Sequence, residues 1–261
     1  MAEKAFAVLP VHLGQITSGN EKANRPAEHL ALLDYPGMVW QSDGNGNLWV
    51  RGQFFEQEAI DFVSLISANA LPGTTIRVRL GTTQAQVDGS GGYDSGTRTF
   101  ISPALTVPNG LYHSHLELIS IRIATWWRID IGGHTGDFQA AGLVMGKRLT
   151  PSDFHDRDFE KGIDDLGKLN VSLRGVASEE PGIVMRTMTF RYSYMAEAEY
   201  ENDFGPLVET IATRGICYWC ISPDSYRQQS TYLGYLSRPA FARGTALDAK
   251  VSVEFAIRSW I

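Results

Sequence analysis

The stretch that decides the fold is residues 119–151, ISIRIATWWRIDIGGHTGDFQAAGLVMGKRLTP. Its first half alternates. Ile119, Ile121, Ile123, Thr125, Trp127, Ile129 and Ile131 fall on one side, with Ser120, Arg122, Arg128 and Asp130 on the other. A period of two over that length predicts a strand with one buried face. Ala124 and Trp126 interrupt the polar side, so part of the outer face is expected to be covered as well. The Gly-rich GGHTGD connector leads into a second apolar run, 140–145, which ends at KRLTP. Together these predict the core strand of an antiparallel sandwich, with no catalytic residue in it.

Outward from this strand, strands are expected at 74–80, where Ile76, Val78 and Leu80 share a side, and as a hairpin of 38–40 with 48–51 around SDGNGN. The span 57–68 fits a helix through Ala59, Phe62, Val63 and Ile66, yet FVSLIS fits a strand equally. The polar, Gly-rich 82–98 segment reads as a loop or a pair of weak strands at the sandwich end; it lacks the ligand spacing of a calcium loop. Past Pro151 the run SDFHDRDFEKGIDDLGK carries charge without period, which predicts a linker at 152–168. Strands are expected at 169–174 and 182–194, the latter with Val184, Met188, Phe190, Tyr192 and Tyr194 on one side. A helix over 196–214 follows, with Phe204, Leu207, Val208 and Ile211 at i, i+3, i+4 and i+7, Pro206 in its first turn and Gly215 as its stop. The closing strand, 250–260, points Val251, Val253, Phe255 and Ile257 inward.

The formal charge of −6 argues against a broad nucleic-acid surface, which needs clustered Lys and Arg. Cys217 and Cys220, in ICYWCI, read as small buried hydrophobes on a strand, where residues three apart face opposite ways, rather than as a redox or metal pair. The first ten residues show no basic-then-apolar leader, and no apolar run approaches the ~20 residues that span a bilayer, so neither a signal peptide nor a membrane anchor is expected. His113 and His115 flank Ser114 without an evident third metal ligand, and the carboxylates of 153–165 around His155 read as a solvated face. No GxSxG, HExxH or Walker A spacing is present. No catalytic, metal or cofactor site is therefore expected, and the protein is expected not to be an enzyme.

At Thr125-Trp126-Trp127-Arg128-Ile129 the chain resembles a family of tailed-bacteriophage and prophage minor or distal tail proteins, whose members carry an Ala-Arg-Tyr-Trp-Arg-like strand followed by a Gly-Arg-Leu-apolar-apolar-Gly … Pro segment. Here Ala141-Gly142-Leu143-Val144-Met145-Gly146 through Pro151 matches the second element, with Ala and Gly where Gly-Arg is usual. FVSLISANAL from Phe62, TIRVRL from Thr75 and YDSG from Tyr93 resemble the jelly-roll scaffold of galactose-binding-like, or discoidin-like, domains. The resemblance implies a mainly β chain. It would hold an N-terminal arm or edge strand (1–34), a galactose-binding-like β-sandwich (35–151), the charged linker (152–168) and a smaller tail-tube-like β-barrel unit (169–261) with one packed helix.

It further implies a structural component of the distal tail or baseplate of a long-tailed bacteriophage, located in the virion and made in the host cytoplasm. Its partners would be itself in a ring, hexameric in preference to trimeric, with tail tube, tape-measure and hub proteins as neighbours and DNA only as passing cargo. Trp126, on the otherwise polar side, and Arg128 are candidate interface residues. The alternative is a carbohydrate-binding module acting in host-surface attachment, with Tyr93, Tyr112 and His113 as candidate sugar contacts.

Overall fold

The structure, a computed structural model, describes residues 4–224 and 226–261. The chain is mainly β and forms two compact units, one from residues 8–148 and 224–229, the other from 1–7, 149–223 and 230–261. The sandwich unit thus begins near Val8 rather than at residue 35. Residues 1–3 of the expected arm lie outside the described residues. The rest of that arm is structured: Leu13–Ser18 pairs antiparallel with Trp49–Ile66, and Phe6–Val8 joins the sheet of the C-terminal unit.

In the sandwich unit a seven-stranded sheet is built on Trp49–Ile66 and Leu116–Gly132, which pair antiparallel, flanked by Gly142–Gly146 and Thr75–Gly81. The ambiguous 57–68 span is therefore strand, because β-branched and aromatic residues there pack on both faces. Its inner face packs on a second layer holding Leu30, Trp40, Phe100 and Phe138. Trp40–Gln41 pairs with Gln139–Ala140, so the hairpin expected between 38–40 and 48–51 does not form. Phe138 organises this layer, edge-on to Trp40 at 5.6 Å and to Phe100 at 5.8 Å between ring centroids.

The long strand corrects the single-phase alternation expected of it. Leu116, Leu118 and Ala124 are buried, and then Trp127, Ile129 and Ile131; Ile119 is 95% exposed and Ile121 and Ile123 face solvent as well. Its register with Trp49–Ile66 is irregular at two places: residues 54–57 stand against Thr125 alone, and Asp61 alone stands against 118–121. Such irregularities bend and twist the strands, so the long strand does not keep one buried face along its length.

In the C-terminal unit an eight-stranded sheet runs in the order Arg148–Leu149, Phe6–Val8, Cys217–Cys220, Thr231–Leu236, Lys250–Ser259, Val184–Ala196, Glu160–Asp165, with Phe241–Gly244 also on Lys250–Ser259. This described order is open, where a closed barrel was expected. Glu160–Asp165 pairs with Val184–Ala196 from Glu160↔Thr189 to Asp165↔Val184, so part of the supposed linker is an edge strand of this sheet. Its charges are held by cations on neighbouring strands: Arg191 takes Asp156 and Asp158, and Arg258 takes Asp164. The register of Val184–Ala196 slips between Tyr192 and Met195, which buries Met195 and turns Tyr194 outward, against the expected phase.

Helical structure covers Glu197 to Ile211, shorter than 196–214, with a π-helical turn at Tyr200–Phe204. Pro206 has no N–H to continue the α ladder, and the Gly205 N–H instead reaches Tyr200 O, the wider π spacing. Phe204, Leu207 and Ile211 bury against Phe190, Tyr192, Trp219 and Phe255; Ala5 and Ala7 lie in the same core. Both cysteines are buried. No helix among the described residues is long and apolar enough to cross a membrane.

Candidate functional site

Thr75–Gly81 ends opposite Trp126, so the long strand runs on beside an open cleft. The cleft encloses about 810 Å³ and is lined by Leu80, Gly81, Thr82, Gln86, Gly91–Asp94 and Ile121–Ile123. Tyr93–Asp94 forms its far wall, paired with Leu80 and Arg79. Gly92 allows that wall to close up, since a Cβ there would stand 2.5 Å from Leu80 O. Gln86 is held by Thr82, whose backbone N–H donates to Oε1 at 2.8 Å.

Charge in the cleft is unequally committed. Asp94 accepts from Arg77 Nε at 2.9 and 3.1 Å, and this hydrogen bonding lowers its pKa to about 2. Arg122 instead stacks over the Tyr93 ring, its guanidinium 4.8 Å from the centroid, and forms no ion pair among the described residues. The neighbouring arginines differ. Arg51 and Arg128 share Asp88, at 2.5 and 2.9 Å, and Arg79 and Arg128 share Asp130, at 2.6 and 2.9 Å. Three guanidiniums in register across three strands are thus bridged by two carboxylates, which offsets their mutual repulsion.

Of the residues singled out from sequence, only Tyr93 lines the cleft. Tyr112 is buried, bridging to Ala68 with its N–H on Ala68 O at 2.8 Å. His113 is buried too, with Nδ1 accepting from Ser67 N at 3.1 Å and its backbone paired to the Gln228 amide. Neither presents a face to a sugar. Arg128 is spent on Asp88, Asp130 and the Trp49 face at 4.5 Å, while Trp126 is half-buried on the strand. Arg122, which the sequence reading passed over, is the cation the cleft offers; its one signal was a charge inside an isoleucine run.

The side chain of His115 is buried, edge-on to Phe62 at 5.1 Å, with Nε2 2.7 Å from Glu117 Oε1. Burial lowers its pKa and outweighs the Glu117 contact. Burial would raise the Glu117 carboxyl, but the His115 hydrogen bond and the charges of His115 and Arg148 lower it. A neutral imidazole donating to a carboxylate satisfies both directions. The unfolded state binds its proton near the ordinary histidine pKa of ~6.5, and the folded state only below that. Stability of this unit is therefore expected to fall as pH drops from 7.5 to 5, and His115→Gln to flatten that part of the Tm profile. An unchanged slope in the variant contradicts this.

Among the described residues no group of three His, Cys, Asp or Glu side chains could hold a metal ion. His155 Nδ1 lies 2.8 Å from Asp156 O, among the rings of Phe159, Phe190 and Tyr192.

No protein-family model matches the chain, and no curated protein matches it. Solved structures resemble just over half of it. A chitosan-binding module from a Paenibacillus sp. IK-5 chitosanase/glucanase is 12% identical, covering 54% of this chain and 98% of its own at a TM-score of 0.40. A family 32 carbohydrate-binding module from C. perfringens NanJ, in complex with galactose, gives the same identity and coverages at 0.39. Reduced XRCC1, bound to the DNA pol beta catalytic domain, gives 13%, 54%, 98% and 0.37. At these scores the likenesses carry no functional assignment.

Proposed function

We propose that this protein is a non-catalytic architectural subunit that assembles into a ring, as a distal-tail or baseplate component of a long-tailed bacteriophage. The observation that carries the assembly is an arm of the C-terminal unit. Beyond Asp165 the edge pair continues as a second ladder, Lys168–Val171 with Ala177–Glu180, and every residue from Lys168 to Val184 is exposed. Leu169, Val171, Leu173, Val176 and Ile183 all lie on it. A two-stranded ribbon bare on both faces is marginal in water, and apolar side chains so displayed mark a contact surface. Covering by a neighbouring subunit supplies the missing layer, and a head-to-tail contact of this kind closes into a ring when its rotation permits.

The tail location rests on the TWWRI and AGLVMG … P resemblance, and the neighbours it implies are tail tube, tape-measure and hub proteins. The ring would be a hexamer or a trimer. Negative-stain images and native mass of the purified protein test the ring, and antibody labelling of virions tests its place. Annular particles with labelling at the tail end are expected; a persistent monomer together with unlabelled tails overturns the proposal.

One observation favours a second reading, a carbohydrate-binding module: the open cleft combines an aromatic ring, an amide, a hydroxyl and an arginine with no ion pair among the described residues, the groups that hold sugars. Glycan-array binding lost on Tyr93→Ala would support it. An array without binders removes it.

A further inference from the structure

The cleft beside the long strand offers hydrogen-bond donors, while its side-chain acceptors are already engaged. Asp94 is the only carboxylate among its lining residues. Oδ1 of that group accepts from Arg77 Nε and from the Gly96 N–H, both at 2.9 Å, and Oδ2 accepts from Arg77 as well. Gln86 is oriented by Thr82. The Thr82 N–H can only donate and holds Gln86 Oε1 at 2.8 Å, and the Thr82 hydroxyl lies 3.1 Å from the same oxygen. The amide nitrogen is thereby turned away from Thr82 and donates to no described residue. Gly81 leaves room for this side chain, since a Cβ there would fall 2.8 Å from Gln86 Cβ.

Arg122 adds a charged donor. Its guanidinium is held over the Tyr93 ring, and it makes neither an ion pair nor a hydrogen bond among the described residues. Leu80, Ile121 and Ile123 give the cleft an apolar side, and its volume of about 810 Å³ falls within the roughly 300–1,000 Å³ of small-ligand sites. This set of groups discriminates between ligands. A sugar hydroxyl both donates and accepts, so a site for neutral sugars pairs donors with open acceptors. An ionised carboxylate only accepts, and a guanidinium only donates.

We propose that the cleft takes an acidic glycan through a uronic acid residue, its carboxylate on the Arg122 guanidinium and a hydroxyl oxygen on the Gln86 amide. Leu80, Ile121 and Ile123 then meet the C–H face of the sugar. Tyr93 is a positioning residue, since Arg122 already lies over its ring and the ring holds the cation in the cleft. This rests on the carbohydrate reading of the cleft and names its ligand class.

An array of pectin, alginate and hyaluronan oligosaccharides, each beside its carboxyl-reduced counterpart, tests this on full-length protein. The carboxylate forms are expected to bind, and the reduced forms to bind about tenfold more weakly or not at all. Arg122→Gln should bring the carboxylate forms down to the level of the reduced ones. Because Arg122 is exposed, that variant should keep the wild-type melting temperature. Tyr93→Ala should weaken the same binding and Tyr93→Phe restore it, since a phenyl face still carries the cation. Acetate, set against an equal concentration of chloride, should not compete; competition would mark a bare anion site and overturn the glycan. Equal binding to the reduced forms, or undiminished binding by Arg122→Gln, overturns the uronate assignment alone. An array with no binder of either kind ends the carbohydrate reading with it.

Discussion

Phe255→Ala is expected to destabilise the C-terminal unit by about 3–5 kcal/mol, the range for emptying an aromatic site in a core. Phe255 is fully buried and links the parts of that unit. It stacks on Phe190 at 5.5 Å and lies 5.0 Å from Trp219, 6.0 Å from Phe204 and 6.4 Å from Tyr192. Those rings come from the strand Val184–Ala196, the strand Cys217–Cys220 and the helical segment, so one truncation loosens three elements at once. Against a total stability of roughly 5–15 kcal/mol, that loss is a large share. Denaturant midpoints and near-ultraviolet circular dichroism read it out. Phe255→Leu, which keeps most of the volume, is expected to lose less than half as much. A loss under about 1 kcal/mol for the alanine variant would show that the cavity collapses and that the cluster has no hub.

This ring was legible in the sequence: the strict alternation of Val251, Val253, Phe255 and Ile257 is what the structure buries. So were Phe204, Leu207 and Ile211, because a helical period survives a π turn near its start. The long strand was legible only in half. Trp127, Ile129 and Ile131 face inward as their period demands, whereas Ile119, Ile121 and Ile123 share that parity and face out. A bulge is a relation between two strands, and one strand's composition does not record it; the break at Ala124 and Trp126 was its trace. The charged 152–168 run misled for a related reason. Edge strands bear charge to discourage mispairing, so a polar run can be sheet. The cleft was hardest to foresee, because it is formed by the end of one strand and the continuation of another, with Arg122 and Tyr93 far apart in sequence.

The strand that fixed the fold also holds the second large effect. Trp127 is fully buried and sits opposite Gly52 in the ladder, and a Cβ on Gly52 would fall 2.6 Å from its Cζ2 and 2.8 Å from Gln15 O. Glycine is needed there so that the indole can lie flat against the neighbouring backbone. Trp127→Ala is expected to cost about 3–5 kcal/mol. Gly52→Ala should cost about 1–3 kcal/mol as overpacking, because the indole is wedged and the Gln15 carbonyl belongs to a paired strand. The two are in contact, so their effects should not add. With the indole gone, the alanine methyl loses its worst clash and fills part of the space, leaving only the Gln15 contact. The double variant is therefore expected to be more stable than the sum of the singles predicts, by about 1–2 kcal/mol. Additivity within about 0.5 kcal/mol would mean that the penalty at Gly52 comes from Gln15 alone. The tryptophan would then be a passive filler of this core and not the residue that dictates glycine across the ladder.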